Sequence, residues 1–137
     1  METHEPMQFF CPMKKVPTTT HQQLQVTVVN GKPHFYEPDD VKAARALLRA
    51  AVIVHKPAQP FSQGVRLMVK WCFPLCAQHK NGEYRTTKPD TDNLQKLLKD
   101  VMTDCGFWVD DALVCSEIAE KFWAEVPGLF IRVEAVA

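Results

Sequence analysis

The sequence of 137 residues contains no long apolar run, and this absence excludes several classes of protein. No stretch approaches the roughly 20 apolar residues that a membrane-spanning helix needs. The N-terminus has neither the basic n-region nor the apolar h-region of a signal peptide. Internal repeats, low-complexity tracts and linkers are also missing. We therefore expect one cytoplasmic domain over residues 1–137 with no membrane partner, because this length suffices for a hydrophobic core without disulfides.

The cysteines do not have the spacing of a disulfide or metal-binding framework. There are five of them, and no two form a Cys-x-x-Cys pair. Cys72 and Cys76 have a separation that some zinc sites use, but Pro74 lies between them and no second Cys/His pair follows at a suitable distance. We interpret the five as reduced thiols that pack as small apolar side chains.

Net charge is also lacking, since 16 Lys and Arg balance 16 Asp and Glu. The distribution of these charges along the chain is uneven. Residues 41–88 contain nine basic side chains and one acidic, whereas residues 90–125 contain three lysines and nine acids. A basic half beside an acidic cluster suits a groove that holds a polyanion and a metal ion. Two solvated faces of opposite sign explain the charges equally well.

Hydrophobic periodicity predicts an α+β fold. Alternating residues predict strands at 8–11, 24–29, 32–36, 64–73, 114–124 and 129–136, with a hairpin turn at Asn30-Gly31. One helix is predicted to open near Pro38 and to end before Pro57. A second is predicted between an N-cap at Asp90 or Thr91 and Gly106. One α+β domain, a mixed sheet with two main helices packed on it, accounts for this order.

The stretch at 88–111 holds six aspartates around a leucine-rich helical pattern. Asp90 and Asp92 stand at the start of the predicted helix, and Lys96 lies one turn after Asp92 on the same face. We expect the chain to turn back after the helix and to bring Asp110 and Asp111 to the first pair. Crowded carboxylates repel each other unless protons or a cation compensate, and their oxygens suit Mg²⁺. A flexible flap at 80–88 is expected to lead into this segment.

Structural roles explain the same aspartates without a metal ion. Asp90 can cap the helix, Asp92 can interact with its dipole, and Asp110-Asp111 can form a polar turn. Spacing alone leaves this choice open. A dehalogenase-type phosphatase is disfavoured, because its Asp-x-Asp follows a buried strand directly, whereas a helix follows here.

The run Lys-Pro-Asp-Thr-Asp-Asn-Leu-x-Lys-x-x-x-Asp, followed by Gly-Phe-Trp-Val-Asp-Asp, resembles the signature of the RusA-type Holliday junction resolvases of bacteria and prophages. The resemblance implies a homodimeric endodeoxyribonuclease that resolves four-way DNA junctions by paired, symmetric phosphodiester hydrolysis with Mg²⁺ or Mn²⁺. The catalytic residues that it implies are Asp90, Asp92, Lys96 and Asp111. The implied metal ligands are Asp90, Asp92, Asp111 and Asp110, with Asp100 in support and Lys121 aligned with a family lysine.

Residues that contact DNA are predicted from charge alone: Lys14, Lys15, Arg45, Arg49, Lys70, Arg85 and Lys88. The aromatic residues Phe107, Trp108 and Trp123 suit a dimer interface and a hydrophobic core equally well. Two other functions remain open, a junction-binding protein without catalytic activity and a nuclease for other branched DNA such as flaps or forks.

Overall fold

The computed structural model describes residues 5–19 and 25–136, and its elements follow the predicted order. They are β1 (Met7–Pro12), β2 (Gln25–Val29), β3 (Lys32–Tyr36), α1 (Asp39–Val52), β4 (Val65–Pro74), α2 (Thr91–Cys105), β5 (Val114–Ala124) and β6 (Gly128–Ala135), with 3₁₀ turns at Ile53–His55 and Asp111–Leu113. The α+β class and the two main helices are confirmed. Leu24, the predicted start of the second strand, lies outside the described residues. No helix in the described ranges is long and apolar enough to cross a membrane.

Four strands form a mixed sheet in the order β1-β6-β4-β5. Strand β6 pairs antiparallel with both β1 and β4, and β4 pairs parallel with β5. A parallel pair needs a long crossover connection, and α2 lies in the crossover between β4 and β5. The topology therefore ties the start of α2 to the end of β5, where the candidate site lies.

Side-chain alternation along β4 separates a buried face of the sheet from a mixed one. Val65, Leu67, Val69, Trp71 and Phe73 are fully buried, and the residues between them are partly exposed. Both helices cover the buried face, since the Cys11 thiol donates to the Ala51 carbonyl of α1 and the Trp71 indole donates to Gln95 of α2. The core is thus one layer of helices on one layer of sheet.

The predicted hairpin forms, but it is a separate two-stranded sheet and does not join the mixed sheet. Among the described residues, β2 and β3 pair only with each other, through a turn in which Asn30 and Gly31 both have positive φ. That backbone is typical of the tight turn that Asn-Gly favours. Val28 and Phe35 are 71% and 66% exposed. The mixed sheet expected from the sequence therefore forms without these two strands.

The leucine-rich face of α2 is buried, and the helix ends as predicted. Asp90 is its N-cap residue, and Gly106 closes it in the left-handed conformation with its N–H on the carbonyls of Met102 and Thr103. Phe107 and Trp108 follow directly and are fully buried. These two aromatic residues belong to the core, whereas Trp123 is partly buried and stacks on His79.

Candidate active site

Helix α2 carries the central residues of the candidate site on the side opposite to its buried leucines. Asp92, Lys96 and Asp100 follow one another at intervals of four residues, so they lie in a row along one side of the helix. Asp92 and Lys96 are exposed and Asp100 is half-buried. Within the described part of the chain, none of the three side chains forms a hydrogen bond or an ion pair closer than 4 Å. The row thus presents two carboxylates and one ammonium group to a ligand.

Asp90 occupies the N-cap position but does not use its carboxylate there. Its backbone is extended, its carbonyl accepts from the Leu94 N–H at 3.1 Å, and its side chain makes no capping hydrogen bond. An N-cap aspartate usually satisfies a free N–H of the first turn. The carboxylate of Asp90 is exposed instead, one residue before the helix that carries Asp92. Helix capping therefore does not account for this aspartate.

The segment before Asp90 is held by Lys121 on β5. The Lys121 ammonium donates to the carbonyl oxygens of Thr87 at 2.6 Å and Pro89 at 2.7 Å. The pKa of Lys121 lies below its ordinary value, first because of burial and then because of the nearby Arg85, while Asp90 acts in the opposite direction. The Lys121 ammonium thus interacts with the carbonyls of Thr87 and Pro89 and with the charge of Asp90 at the start of α2.

The segment at 80–88 is tied to the edge of the sheet, in contrast to the flexible flap expected from its sequence. Gly82 N donates to Trp123 O at 2.8 Å, Trp123 N donates to Glu83 O at 2.8 Å, and Arg85 N donates to Lys121 O at 2.9 Å. The segment therefore runs antiparallel beside β5 as a short irregular strand. Its polar composition indicated a loop, but only the fold supplied the open strand edge that binds it.

A second acidic group lies at the other end of α2. A surface pocket of about 480 Å³ is lined by Arg45, Asp100, Thr103, Asp104, Val109, Asp110 and Asp111. The Asp110 carboxylate accepts from the Ala112 N–H at 2.9 Å and caps the following 3₁₀ turn. Asp111 is exposed, and no hydrogen bond of its carboxylate occurs among the described residues. Asp110 thus takes the turn-forming role that the sequence left open for it.

The two acidic groups do not meet within one chain. Asp90 and Asp92 stand at the start of α2, and Asp110 and Asp111 stand beyond its end, beside Asp100 and Asp104. Fifteen helical residues span about 22 Å. Within residues 5–19 and 25–136, no group of three or more His, Cys, Asp or Glu side chains could hold a metal ion. The expected return of Asp110 and Asp111 to the first pair is therefore not seen in the single chain.

A polar relay that sequence reasoning overlooked fixes the middle of α2. Gln95 is buried, accepts from the Trp71 indole N–H at 2.6 Å and donates to Glu117 at 2.7 Å, and Glu117 also pairs with Lys99 at 3.0 Å. Gln95 is three residues before Leu98, so helical spacing already placed it on the core face. The relay fixes the rotation of α2, and with it the direction of Asp92 and Lys96.

Three of the predicted DNA-contact residues already contact their own chain. Arg45 forms an ion pair with Glu37 at 2.8 Å, Arg49 lies 3.6 Å from the Cys105 sulfur, and Arg85 donates to the Lys88 carbonyl at 2.6 Å. Among the others, Lys14, Lys15 and Lys88 are exposed. Lys70 lies on the mixed face of the sheet, 5.6 Å from the centre of the Phe130 ring. Lys88 is the predicted DNA contact nearest in sequence to Asp90.

An α+β domain that presents unshared carboxylates, a lysine and nearby basic side chains is typical of enzymes that cleave phosphodiesters. Residues 14–134 match the family model described as endodeoxyribonuclease RusA. A relative from Lactococcus phage r1t, named crossover junction endodeoxyribonuclease rusA, is 30% identical over 131 residues, which cover 94% of this chain and 98% of the relative. An uncharacterised protein, YqaN of Bacillus subtilis strain 168, is 25% identical over 122 residues, or 81% of this chain and 85% of that protein.

The chain belongs to the RusA endodeoxyribonuclease family. This assignment agrees with the resemblance found in the segment from Lys88 to Asp111. It makes the protein a nuclease that acts on DNA.

Proposed function

We propose that the protein is a homodimeric, Mg²⁺-dependent endodeoxyribonuclease that resolves four-way DNA junctions by paired phosphodiester hydrolysis. The observation that carries the proposal is the start of α2 in a chain of the RusA family. There the Asp90 and Asp92 carboxylates accept no hydrogen bond from a described residue, and Lys96 lies one turn after Asp92. The relative from the Lactococcus phage, which is named a crossover junction endodeoxyribonuclease, supports the choice of substrate.

The donor set fits a hard divalent cation. Mg²⁺ keeps several waters and is usually bound by one or two carboxylates together with substrate phosphates, so the Asp90–Asp92 pair supplies a sufficient protein contribution. Mn²⁺ accepts the same oxygen ligands. When bound, the ion supplies a Lewis acid that offsets negative charge on the phosphodiester and lowers the pKa of bound water.

The remaining roles fall to the side chains of the chain itself. Lys96, one helical turn after Asp92, brings a positive charge to the phosphate and stabilises the extra negative charge of its transition state. Lys88 and the basic residues Lys14, Lys15, Lys70, Arg45, Arg49 and Arg85 are proposed as the positive surface that holds the DNA arms. Arg45 and Arg49 would first exchange the partners that they have in the free chain.

A homodimer gives Asp111 a place in the site. Within one chain Asp111 lines a pocket with Asp100, two helical turns from Asp92. A two-fold axis can bring the second acidic group of one protomer to the first group of its partner. Each such dimer would hold two equivalent sites. A four-way junction needs two symmetric cuts, so the arrangement matches the substrate.

The test compares two exposed aspartates that occupy the first turn of a helix, Asp92 in α2 and Asp39 in α1. We expect Asp92→Asn to lower the cleavage rate of a synthetic four-way junction by about 10²- to 10³-fold, because removing a group that stabilises transition-state charge costs this much. Junction binding without metal should persist. The Asp39→Asn control should cleave at the wild-type rate, and unchanged cleavage by Asp92→Asn would refute the assignment.

Two alternatives are separated by a substrate panel at one salt concentration. The panel compares a junction, a fork, a flap and a duplex with Mg²⁺, with Mn²⁺ and with EDTA. Fixed salt is required because the salt concentration alone changes DNA affinity by orders of magnitude. Faster cleavage of flaps or forks would replace junctions as the substrate, and binding without any nicking would indicate a junction-binding protein.

A further inference from the structure

Three consecutive backbone carbonyls precede the first proposed metal ligand, and each accepts a hydrogen bond from a cationic side chain. Lys121 binds the carbonyls of Thr87 and Pro89, and Arg85 binds the carbonyl of Lys88 between them at 2.6 Å. A backbone segment held at three successive positions has little freedom to rotate. Asp90 follows directly, so the direction of its carboxylate is set by these contacts.

Both cations are themselves fixed by the fold. The Arg85 guanidinium lies over the rings of Phe73 and Trp123, with its carbon 4.3 and 4.6 Å from the ring centres. Lys121 stands on the helix-facing side of β5, opposite Trp71 of β4. The Arg85 N–H also donates to the Lys121 carbonyl at 2.9 Å, which joins the two residues through the backbone. The two side chains therefore act as a single rigid support.

Lys121 donates to backbone oxygens, and Arg85 donates to the Lys88 carbonyl and, at 3.2 Å, to the Thr87 hydroxyl. Among the described residues, neither cation forms a hydrogen bond with the Asp90 carboxylate. A cation that neutralised Asp90 would compete with a metal ion for the same oxygens. A cation that binds the preceding carbonyls orients the carboxylate and keeps its oxygens available. This geometry indicates positioning and distinguishes the pair from residues that touch the substrate.

We infer that Arg85 and Lys121 form a two-cation clamp on the carbonyls of residues 87–89 and thereby position Asp90 to bind a divalent cation. The inference rests on the proposed function, in which Asp90 is a metal ligand. It also gives Arg85 a role other than the DNA contact predicted from its charge. Groups that orient a metal ligand typically change metal affinity by about 10- to 100-fold when they are removed.

The experiment measures Mn²⁺ binding by the full-length protein, from the electron paramagnetic resonance signal of free Mn²⁺, together with thermal unfolding and junction binding in EDTA. We expect Lys121→Met to weaken Mn²⁺ binding at least about tenfold, because it removes both donors while keeping side-chain length. Lys121→Arg, which keeps donors, should remain within about threefold of wild type. Lys80→Met, at an exposed lysine that begins the segment at 80–88, is the matched control and should bind Mn²⁺ as wild type does.

A purely structural role predicts a different result. In that case Lys121→Met would lower the unfolding temperature and weaken junction binding in EDTA. The folded fraction would still bind Mn²⁺ with wild-type affinity, and this result would refute the clamp. If Lys121→Met does not fold, Arg85→Lys decides the question. This variant keeps the positive charge but lacks the guanidinium nitrogen that donates to the Lys88 carbonyl, so we expect it to weaken Mn²⁺ binding. Unchanged Mn²⁺ affinity would overturn the inference.

Failure of the clamp and failure of the proposed function give distinct results. A wild-type protein that cleaves junctions, with clamp variants that bind Mn²⁺ normally, would refute the clamp alone. A wild-type protein that binds Mn²⁺ but cleaves no branched DNA would refute the proposed function, while weakened Mn²⁺ binding by Lys121→Met would still support the clamp. A wild-type protein that binds no Mn²⁺ would refute both.

Discussion

Aspartates of identical chemistry have different tasks in this chain, and the hydrogen bonds of each carboxylate distinguish them. Asp110 shares its carboxylate with the Ala112 N–H and shapes a turn. Asp90 stands at an equally suitable capping position but leaves its carboxylate unshared. Capping therefore does not explain Asp90, whose exposed carboxylate stays available to a ligand, and this makes Asp90 the stronger candidate.

The five cysteines also differ at the scale of single residues. Cys11 and Cys105 are buried, whereas Cys76 and Cys115 are exposed. Burial raises the pKa of Cys11 to about 11. Because the thiolate is the reactive form, only about one Cys11 thiol in a thousand is ionised at pH 8. All five are unpaired, as the sequence indicated, but the exposed Cys76 and Cys115 do not pack as buried apolar side chains.

We expect brief treatment with a thiol reagent at pH 8 to label Cys76 and Cys115 and to leave Cys11 unlabelled. Mass spectrometry of the digested protein identifies the labelled positions. Labelling of Cys11 should become faster as the pH rises toward 11, because the thiolate fraction grows. As a control, unfolding in guanidinium should expose all five thiols. Equal labelling of Cys11 and Cys76 in the native protein would contradict the burial described here.

At the scale of elements, the close pairing of β1 with β6 depends on one glycine. Gly128 opens β6 opposite Pro12 with a φ of 153°, and a Cβ there would lie 2.2 Å from the Cys11 carbonyl oxygen. That contact is far too short, and the atom it meets belongs to the backbone of β1. Gly82 also has a positive φ, of 88°, but a Cβ at that position would meet no atom within 4 Å.

Alanine substitutions at Gly128 and at Gly82 give a prediction and its control. We expect Gly128→Ala to lower the free energy of unfolding by about 3 kcal/mol or more, because it combines backbone strain with a clash that separates two strands. Gly82→Ala should cost about 1–2 kcal/mol, from the left-handed backbone alone. Urea unfolding measures both values. Equal losses would show that the strands adjust to the extra methyl group.

At the scale of the whole molecule, the length of α2 determines how the aspartates can be used. The helix separates Asp92 from Asp111, and the relay from Trp71 through Gln95 to Glu117 fixes its rotation on the sheet. A rigid helix of about 22 Å cannot bring its own two ends together. The proposed dimer removes this difficulty, because two antiparallel copies of α2 place unlike ends side by side.

Mixed dimers test this arrangement directly. Two different tags allow the isolation of heterodimers that contain one Asp92→Asn chain and one Asp111→Asn chain. We expect these heterodimers to nick junctions. Both substitutions fall in one of the two shared sites, and the other site is intact. Each homodimer should be inactive. A heterodimer of Asp92→Asn with Asp90→Asn is the control, and it should be inactive because it damages both sites. Inactivity of the first heterodimer would show that the site is not shared in this way.

The sequence by itself determined the local structure and the residues of the candidate site. The periodicity of leucines, the glycine after Cys105 and the Asn30-Gly31 turn specify α2 and the hairpin through interactions between near neighbours. The aspartates from Asp90 to Asp111 marked the candidate site but left structural roles open, and the resemblance to the family came from the motif between Lys88 and Asp111.

Tertiary structure alone decided which of these residues meet. It placed the two acidic groups at opposite ends of a helix, fixed the segment at 80–88 on the edge of β5, and turned Arg85 and Lys121 toward the carbonyls before Asp90. The hairpin stayed apart from the main sheet for the same reason. Such contacts join residues far apart in the chain, and they depend on strand order and helix rotation, which local sequence patterns do not specify.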